Sequence, residues 1–233
     1  MIYYYDLHIH TVLSPCADDL MTPHNIFNMA KLKGLDIIAI TDHNSLKQIK
    51  VCKEISDSYD ILFIPGCEVS VKEGCHILVY FKSVEDALKF DTYLETFIHK
   101  QGYDKSLYKD QEITNIYDEV IDIYPFDLSP FVDLSIDELV LSLSSYDHIL
   151  VYAHADRKKH GAMSYMKQKP LDGIEFSMHV NPNVLLEHEV ASQIIFYNSD
   201  AHTITEMLER TEKNKIELES LSIEAFFSFV KHG

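Results

Sequence analysis

Residues 35–45 read LDIIAITDHNS. The run IIAI is apolar at four successive positions and has no polar face to turn to water, so a strand built from it is covered on both sides. The chain turns polar directly afterwards, with Asp42 and His43. A doubly covered strand that ends in titratable residues is the unit of a parallel α/β barrel, where chemistry is assembled at the C-terminal ends of the strands.

The same unit recurs on either side. IYYYDLH (2–8), ILFIPG (61–66), HILVYF (76–81), HILVYAH (148–154), GIEF (173–176) and IIFYNS (194–199) bring the candidate inner strands to seven. Helical patterns lie between them. TPHNIFNMAKLKG starts on Thr22 as N-cap with Pro23 at the first helical position, and stops at Gly34. Further helices are expected from about Ser45 to Ser56, from Ser83 to about His99, and from Ser135, with Glu138 completing a capping box. Residues 100–134 break the alternation and read as a β-hairpin excursion over the barrel mouth, turning near Tyr117–Asp118. The tail LSIEAFFSFVKHG is an amphipathic terminal helix. At 233 residues, 46% of them hydrophobic, the chain can bury one full core, so a single domain over 1–233 is expected.

Charge narrows the partners. The formal net charge is -17, with 20 Lys+Arg against 37 Asp+Glu, and no basic run is longer than RKKH at 157–160. A protein that grips phosphate backbones normally shows a basic face. Duplex nucleic acid is therefore not expected as a partner, and a small phosphorylated substrate is. The apolar runs are strand-length, so no membrane span is expected, and no secretory or transit segment precedes the first strand. Cys16, Cys52, Cys67 and Cys75 form no CxxC pair, which suits a reducing, cytoplasmic compartment. The oligomeric state is left open.

Polar residues gather at the strand ends. His8 and His10 end the first strand, Asp42 and His43 the second, and Glu68 follows the third by two residues. His76 starts the fourth, His154 ends the fifth, and Asp200 and His202 end the last. With Asp18 of the first loop counted, six histidines and four carboxylates meet on one rim. Residues i and i+2 of a strand share a side, so His8 and His10 deliver two imidazoles into one cavity. Imidazole with carboxylate suits zinc, manganese or iron. Singly, each residue has a plain structural reading: Asp42 as a turn cap, Glu68 as a lysine partner, His76 as a satisfied core histidine. Jointly they point to metal.

DLHIHT, TDHNS, PGCEVS, CHILVYF, AH and SDAH, in this order, resemble the PHP (polymerase and histidinol phosphatase) family, and most of all its stand-alone metal-dependent phosphoesterases. The resemblance runs from about residue 4 to residue 210. It implies a distorted seven-stranded (βα)7 TIM-like barrel, with the hairpin insertion near 100–134, and two or three divalent ions at the C-terminal mouth. By motif, His8, His10, Glu68 and Asp200 would hold a first ion, and Glu68 would bridge to a second completed by His76 and His154. His43 and His202 would hold a third with a ligand from the loop after His10. Many relatives read SDG in that loop, whereas this chain reads SPCADDLMTP. Counting back from TP selects Asp18, with Asp19 its rival; counting forward from His10 lands on Pro15 or Cys16.

The implied activity is hydrolysis of a small phosphate mono- or diester, nucleotide- or sugar-phosphate-like, by a metal-bridging hydroxide. For the catalytic step the candidates are Asp42, which would orient an imidazole or a water, His202, and Arg157, which could fork onto a phosphate oxygen. Lys158 and His160 are weaker versions of Arg157, and His179 is a further histidine near the mouth. His24, His99, His148, His188 and His232 are assigned to surface or core. Two other classes remain open: a metal-dependent hydrolase of another bond, amidohydrolase-like, and a catalytically silent metal-stabilised module.

Overall fold

The computed structural model describes residues 1–104, 109–181, 183 and 194–232. Among them the strands are β1 (Ile2–Ile9), β2 (Ile37–Ile40), β3 (Leu62–Ser70), β4 (His76–Phe81), β5 (Glu112–Thr114), β6 (Val120–Ile123), β7 (His148–Tyr152), β8 (Gly173–Phe176), β9 (Ile194–Tyr197) and β10 (Lys215–Glu217). The helices are α1 (Pro23–Lys33), α2 (Ile49–Ser56), α3 (Val84–Leu94), α4 (Ile136–Leu143) and α5 (Ile223–His232). Eight strands form one curled sheet in the order β10-β1-β2-β3-β4-β7-β8-β9, while β5 and β6 pair separately.

The count of seven inner strands is thus corrected to eight. The additional one, β10, is three residues long, with lysine and glutamate at its ends, and pairs antiparallel with β1. It is too short to show an apolar period. A second correction concerns direction. β4 runs antiparallel to both β3 and β7, whereas β1–β2, β2–β3, β7–β8 and β8–β9 are parallel. The result is a mostly parallel half-barrel. The reversal explains His76: as the first residue of a reversed strand, it lies at the same rim as the last residues of the parallel ones.

Alternation on the strands sorts two cores. Leu78 and Tyr80 of β4, Ile149 and Val151 of β7, and Phe196 of β9 pack with Phe226, Phe227 and Val230 of α5. Their neighbours Ile77, Val79, Leu150 and Tyr152 join the core that includes residues of α1–α4. By the same parity, Glu68 shares a face with Ile64, His76 with Leu78, and Asn198 with Phe196. β1 needs one adjustment, because its register against β2 slips by one residue between Asp6 and Ile9. Such a bulge changes which residues point inward. Tyr5 and Leu7 join the α5 core, Ile9 joins the other, and His8 and His10 are left facing the mouth.

Most helix signals act locally as expected, although α2 starts at Ile49 and not near Ser45, and Thr22 precedes α1 without a side-chain cap bond. Gly34 closes α1 at φ 72, and its N–H reaches Ala30 and Lys31 carbonyls. Ser135 and Glu138 form the capping box of α4. α3 ends at Leu94 and passes into a single 3₁₀ turn, short of His99. The β5–β6 hairpin turns through Asp118 at φ 60 and docks on the loops after β1 and β2: Glu112 N bonds Val12 O at 3.1 Å, and Gln48 bonds Thr114. Asp118 also accepts from the Thr22 hydroxyl and His24 N at the start of α1. No helix among the described residues is long and apolar enough to cross a membrane.

Candidate metal centre

Above the α5 core the inner face becomes polar without becoming wet. Asp6, Asp42, Glu68, Glu175 and Asp200 are all buried. Among the described residues, the one Lys or Arg ion pair they make is Arg157–Asp200. Buried carboxylates left without cations cost several kcal/mol each, so this concentration of negative charge calls for counter-charge.

Proton positions can be reasoned from the partners. His8 Nδ1 faces both oxygens of Glu175, at 3.1 and 3.0 Å. A carboxylate only accepts, so Nδ1 carries the proton and Nε2 keeps its lone pair. Ser14 Oγ gives its single proton to Asp42 Oδ1 at 2.7 Å, so its 3.0 Å contact with His10 Nδ1 must be donated by the ring. His10 Nε2 is therefore also a lone pair. These two nitrogens lie 3.2 Å apart, and each is 3.1 Å from Asp200 Oδ1. Glu68 closes the group, with Oε1 3.3 Å from His8 Nε2 and Oε2 3.5 Å from His10 Nε2. With both rings neutral, four acceptors face one another, which is repulsive unless a metal ion or an added proton on His8 sits among them.

Glu68 meets three more imidazoles. His76 Nδ1 is 2.9 Å and His154 Nε2 3.0 Å from Oε1. His43 Nδ1 is 2.9 Å from Oε2, yet both atoms are buried and neither makes a hydrogen bond. His154 Nδ1 is orphaned as well. Three groups could hold an ion: His8, His10, Glu68 and Asp200; His43, Glu68 and His76; and His10, His43 and His202. The orphaned atoms and the donor set fit divalent metal. Backbone strain marks the same place, since Asn44, His154, His160 and Asp200 all have positive φ without being glycine.

Electrostatics follow the crowding. Burial opposes charge on His8, but Glu175, Asp200 and Glu68 outweigh it and raise its pKa. Burial lowers that of His10, with His202 and His43 adding to the effect. The carboxyl of Glu68 is held well below its ordinary range because His76, His8 and His43 overcome its burial.

The sequence candidates are therefore placed as follows. His8, His10, Glu68, His43, His76, His154, Asp200 and His202 converge. Asp18 does not: its Oδ1 accepts from Leu20 N at 2.9 Å and it belongs to none of the three groups. Asp19 is turned outward to Lys109. Cys16, whose side chain is exposed, belongs to none of the three groups either. Desolvation alone would raise its thiol, but His202 and His43 bring it down to about 7. Asp42 lies behind the centre, accepting from Thr11 N, Thr11 Oγ1 and Ser14 Oγ, and reaches His10 only through Ser14. Arg157 is half-exposed and pairs with Asp200 Oδ2 at 2.5 Å. It lines a cavity of about 360 Å³ with His154, Asp200 and His179. His160 stacks on His76 with centroids 4.8 Å apart. His24 and His148 are spent on the carbonyls of Ile116 and Tyr146, and His188 lies outside the described residues.

Glu175 is the residue the sequence reading missed. Besides His8 it accepts from His154 N at 2.9 Å and Asn198 Nδ2 at 2.7 Å. Its signal was a lone acid inside the apolar strand GIEF, where an unpaired charge is rarely tolerated.

The model of the PHP domain matches residues 6–222. The chain belongs to the PHP family. Membership indicates a metal-dependent hydrolase. The fold is shared with Endonuclease Q of Pyrococcus furiosus, a lesion-specific endonuclease (TM-score 0.74, 21% identity, 99% of this chain and 56% of that one). It is shared equally with an Endonuclease Q complex holding a 27-mer duplex with an abasic lesion at the active site (TM-score 0.70, 19% identity, 99% and 57%). A candidate metal-dependent phosphoesterase of Bifidobacterium adolescentis is similar at TM-score 0.57 and 17% identity, over 90% of this chain and 91% of that one. The uncharacterised protein MJ1587 of Methanocaldococcus jannaschii is 34% identical over 77 residues, 30% of this chain and 45% of that protein. The PHP chain thus spans little more than half of Endonuclease Q and less than half of the archaeal protein. The duplex-bound neighbour overturns the expectation of a small phosphorylated substrate with duplex nucleic acid excluded. That expectation rested on net charge, which averages the whole surface and says nothing of the mouth.

Proposed function

We propose that this PHP chain is a metal-dependent phosphodiesterase that cuts a nucleic-acid strand at the mouth formed by Glu68, Asp200 and Arg157. One observation carries the reading: a buried Glu68 carboxylate shared between two groups that could hold an ion, one with His8, His10 and Asp200, the other with His43 and His76. Zinc, manganese or iron bound there would supply Lewis acidity to a phosphoryl oxygen and acidify a water at neutral pH. His8 and His10 present Nε2 because Glu175 and Ser14 hold their Nδ1 protons. His154 and His76 complete the side around Glu68 Oε1. Arg157 steadies Asp200 and borders the cavity where a phosphate would enter. The neighbouring Lys158 and Lys159 are exposed and, among the described residues, make no ion pair, leaving them to meet flanking phosphates. Four free cysteines suit a reducing, cytoplasmic setting.

The test is strand cleavage of end-labelled duplexes, with an abasic site or undamaged, in the presence of zinc or manganese. Chelator-sensitive cleavage is the expected result. Metal-dependent turnover of amides or cyclic esters, with every phosphodiester left intact, would replace this reading with that of another hydrolase.

A further inference from the structure

We propose that Asn198 is a positioning residue of the metal centre: its amide, bonded to β1 and to Glu175 of β8, sets the carboxylate that holds the Nδ1 proton of His8. The inference rests on the metal-dependent reading but not on any substrate.

Asn198 directly follows β9, which stands at the edge of the curled sheet and shares no ladder with β1 among the described residues. The two sides meet at Ala201, where His10 N bonds Ala201 O at 3.0 Å and Ala201 N bonds His8 O at 3.1 Å. One residue before His8, the Asn198 side chain takes the place of a strand. Its Oδ1 accepts from Leu7 N at 3.0 Å, and its Nδ2 donates to Glu175 Oε2 at 2.7 Å. A backbone N–H can only donate and a carboxylate can only accept, so the amide has one possible orientation. Leu7, Glu175 and Asn198 are all buried. Glu175 gives its remaining capacity to His154 N, at Oε1, and to His8 Nδ1, at both oxygens. Asn198 pins Oε2 and His154 N pins Oε1, which fixes the plane of the carboxylate and aims it at one imidazole nitrogen. Asn198 thus reaches the ion through Glu175 and His8.

Exchanging the two side-chain types tests this. Asn198→Asp keeps an acceptor for Leu7 N but sets a second carboxylate against Glu175, and Glu175→Gln sets an amide against the Asn198 amide. Each single variant should weaken zinc binding by about tenfold or more in a chelator-competition titration. Carrying both substitutions restores a donor facing a carboxylate. The amide oxygen at 175 still accepts from His8 and His154 N, and its nitrogen donates to position 198. The double variant should therefore bind zinc about tenfold more tightly than either single variant, a rescue that independent losses cannot give. Should Asn198→Asp fail to fold, the double variant against Glu175→Gln alone decides. A double variant that does not fold, or binds zinc no more tightly than Glu175→Gln, would overturn the role of Asn198. So would an Asn198→Asp protein with wild-type zinc affinity. Wild-type protein that binds no zinc would overturn the metal-dependent reading itself.

Discussion

Glu175 holds the Nδ1 proton of His8 between its two carboxylate oxygens, at 3.1 and 3.0 Å. That contact fixes which nitrogen of His8 faces Asp200 and Glu68. Partners of this kind are typically worth 10–100-fold in metal affinity. Glu175→Gln should therefore weaken the ion held by His8 and His10 by about 10–100-fold in a chelator-competition titration. Unchanged affinity would mean that His8 needs no such orientation.

His10 depends on a relay, Asp42 to Ser14 to its Nδ1. Ser14→Ala removes the acceptor for that proton, and Asp42→Asn strips the charged acceptor from Thr11 and Ser14. Each buried donor left unpaired costs about 1–3 kcal/mol. Both variants should melt at lower temperature, and Ser14→Ala should also bind metal more weakly. A Ser14→Ala protein with wild-type affinity would show that the relay only supports the fold.

Metal removal should destabilise the protein, because the acceptors around Glu68 would then face one another uncompensated. An ion at 100-fold over its Kd adds about 2.7 kcal/mol to stability, which calorimetry of loaded and chelated protein can resolve. Glu68→Gln should narrow that difference, since it removes the charge shared by two groups. Equal melting with and without metal would contradict this.

Lys158 and Lys159 test the nucleic-acid reading. Each phosphate contact contributes about -0.9 to the slope of log affinity against log salt on duplex DNA. The double alanine variant should weaken duplex binding and flatten that slope, while turnover of a small aryl phosphodiester stays the same. An unaltered slope would place the strand elsewhere.

Much of the site was legible because strand ends announce themselves: LDIIAITDH and DLHIH each pass from apolar to titratable within one turn of chain. His76 was legible as a candidate but not as a neighbour, since the reversal of β4 that brings a strand start to the rim leaves no mark in HILVYF. β10 escaped because three residues carry no period. Asp18 was selected by counting back from TP. The direction of that loop is set instead by hydrogen bonds to Ala201 and His202, almost the whole chain away. A duplex partner was set aside on total charge, which records nothing about where three basic residues and the metal groups lie.

The account turns on Glu68 lying between ions. The most direct measurement is an anomalous-scattering map of crystals grown with zinc. The account predicts peaks on both sides of the Glu68 carboxylate, one shared with His8, His10 and Asp200 and another with His43 and His76. A map with no peak in contact with Glu68, from protein that is folded and metal-exposed, would contradict it.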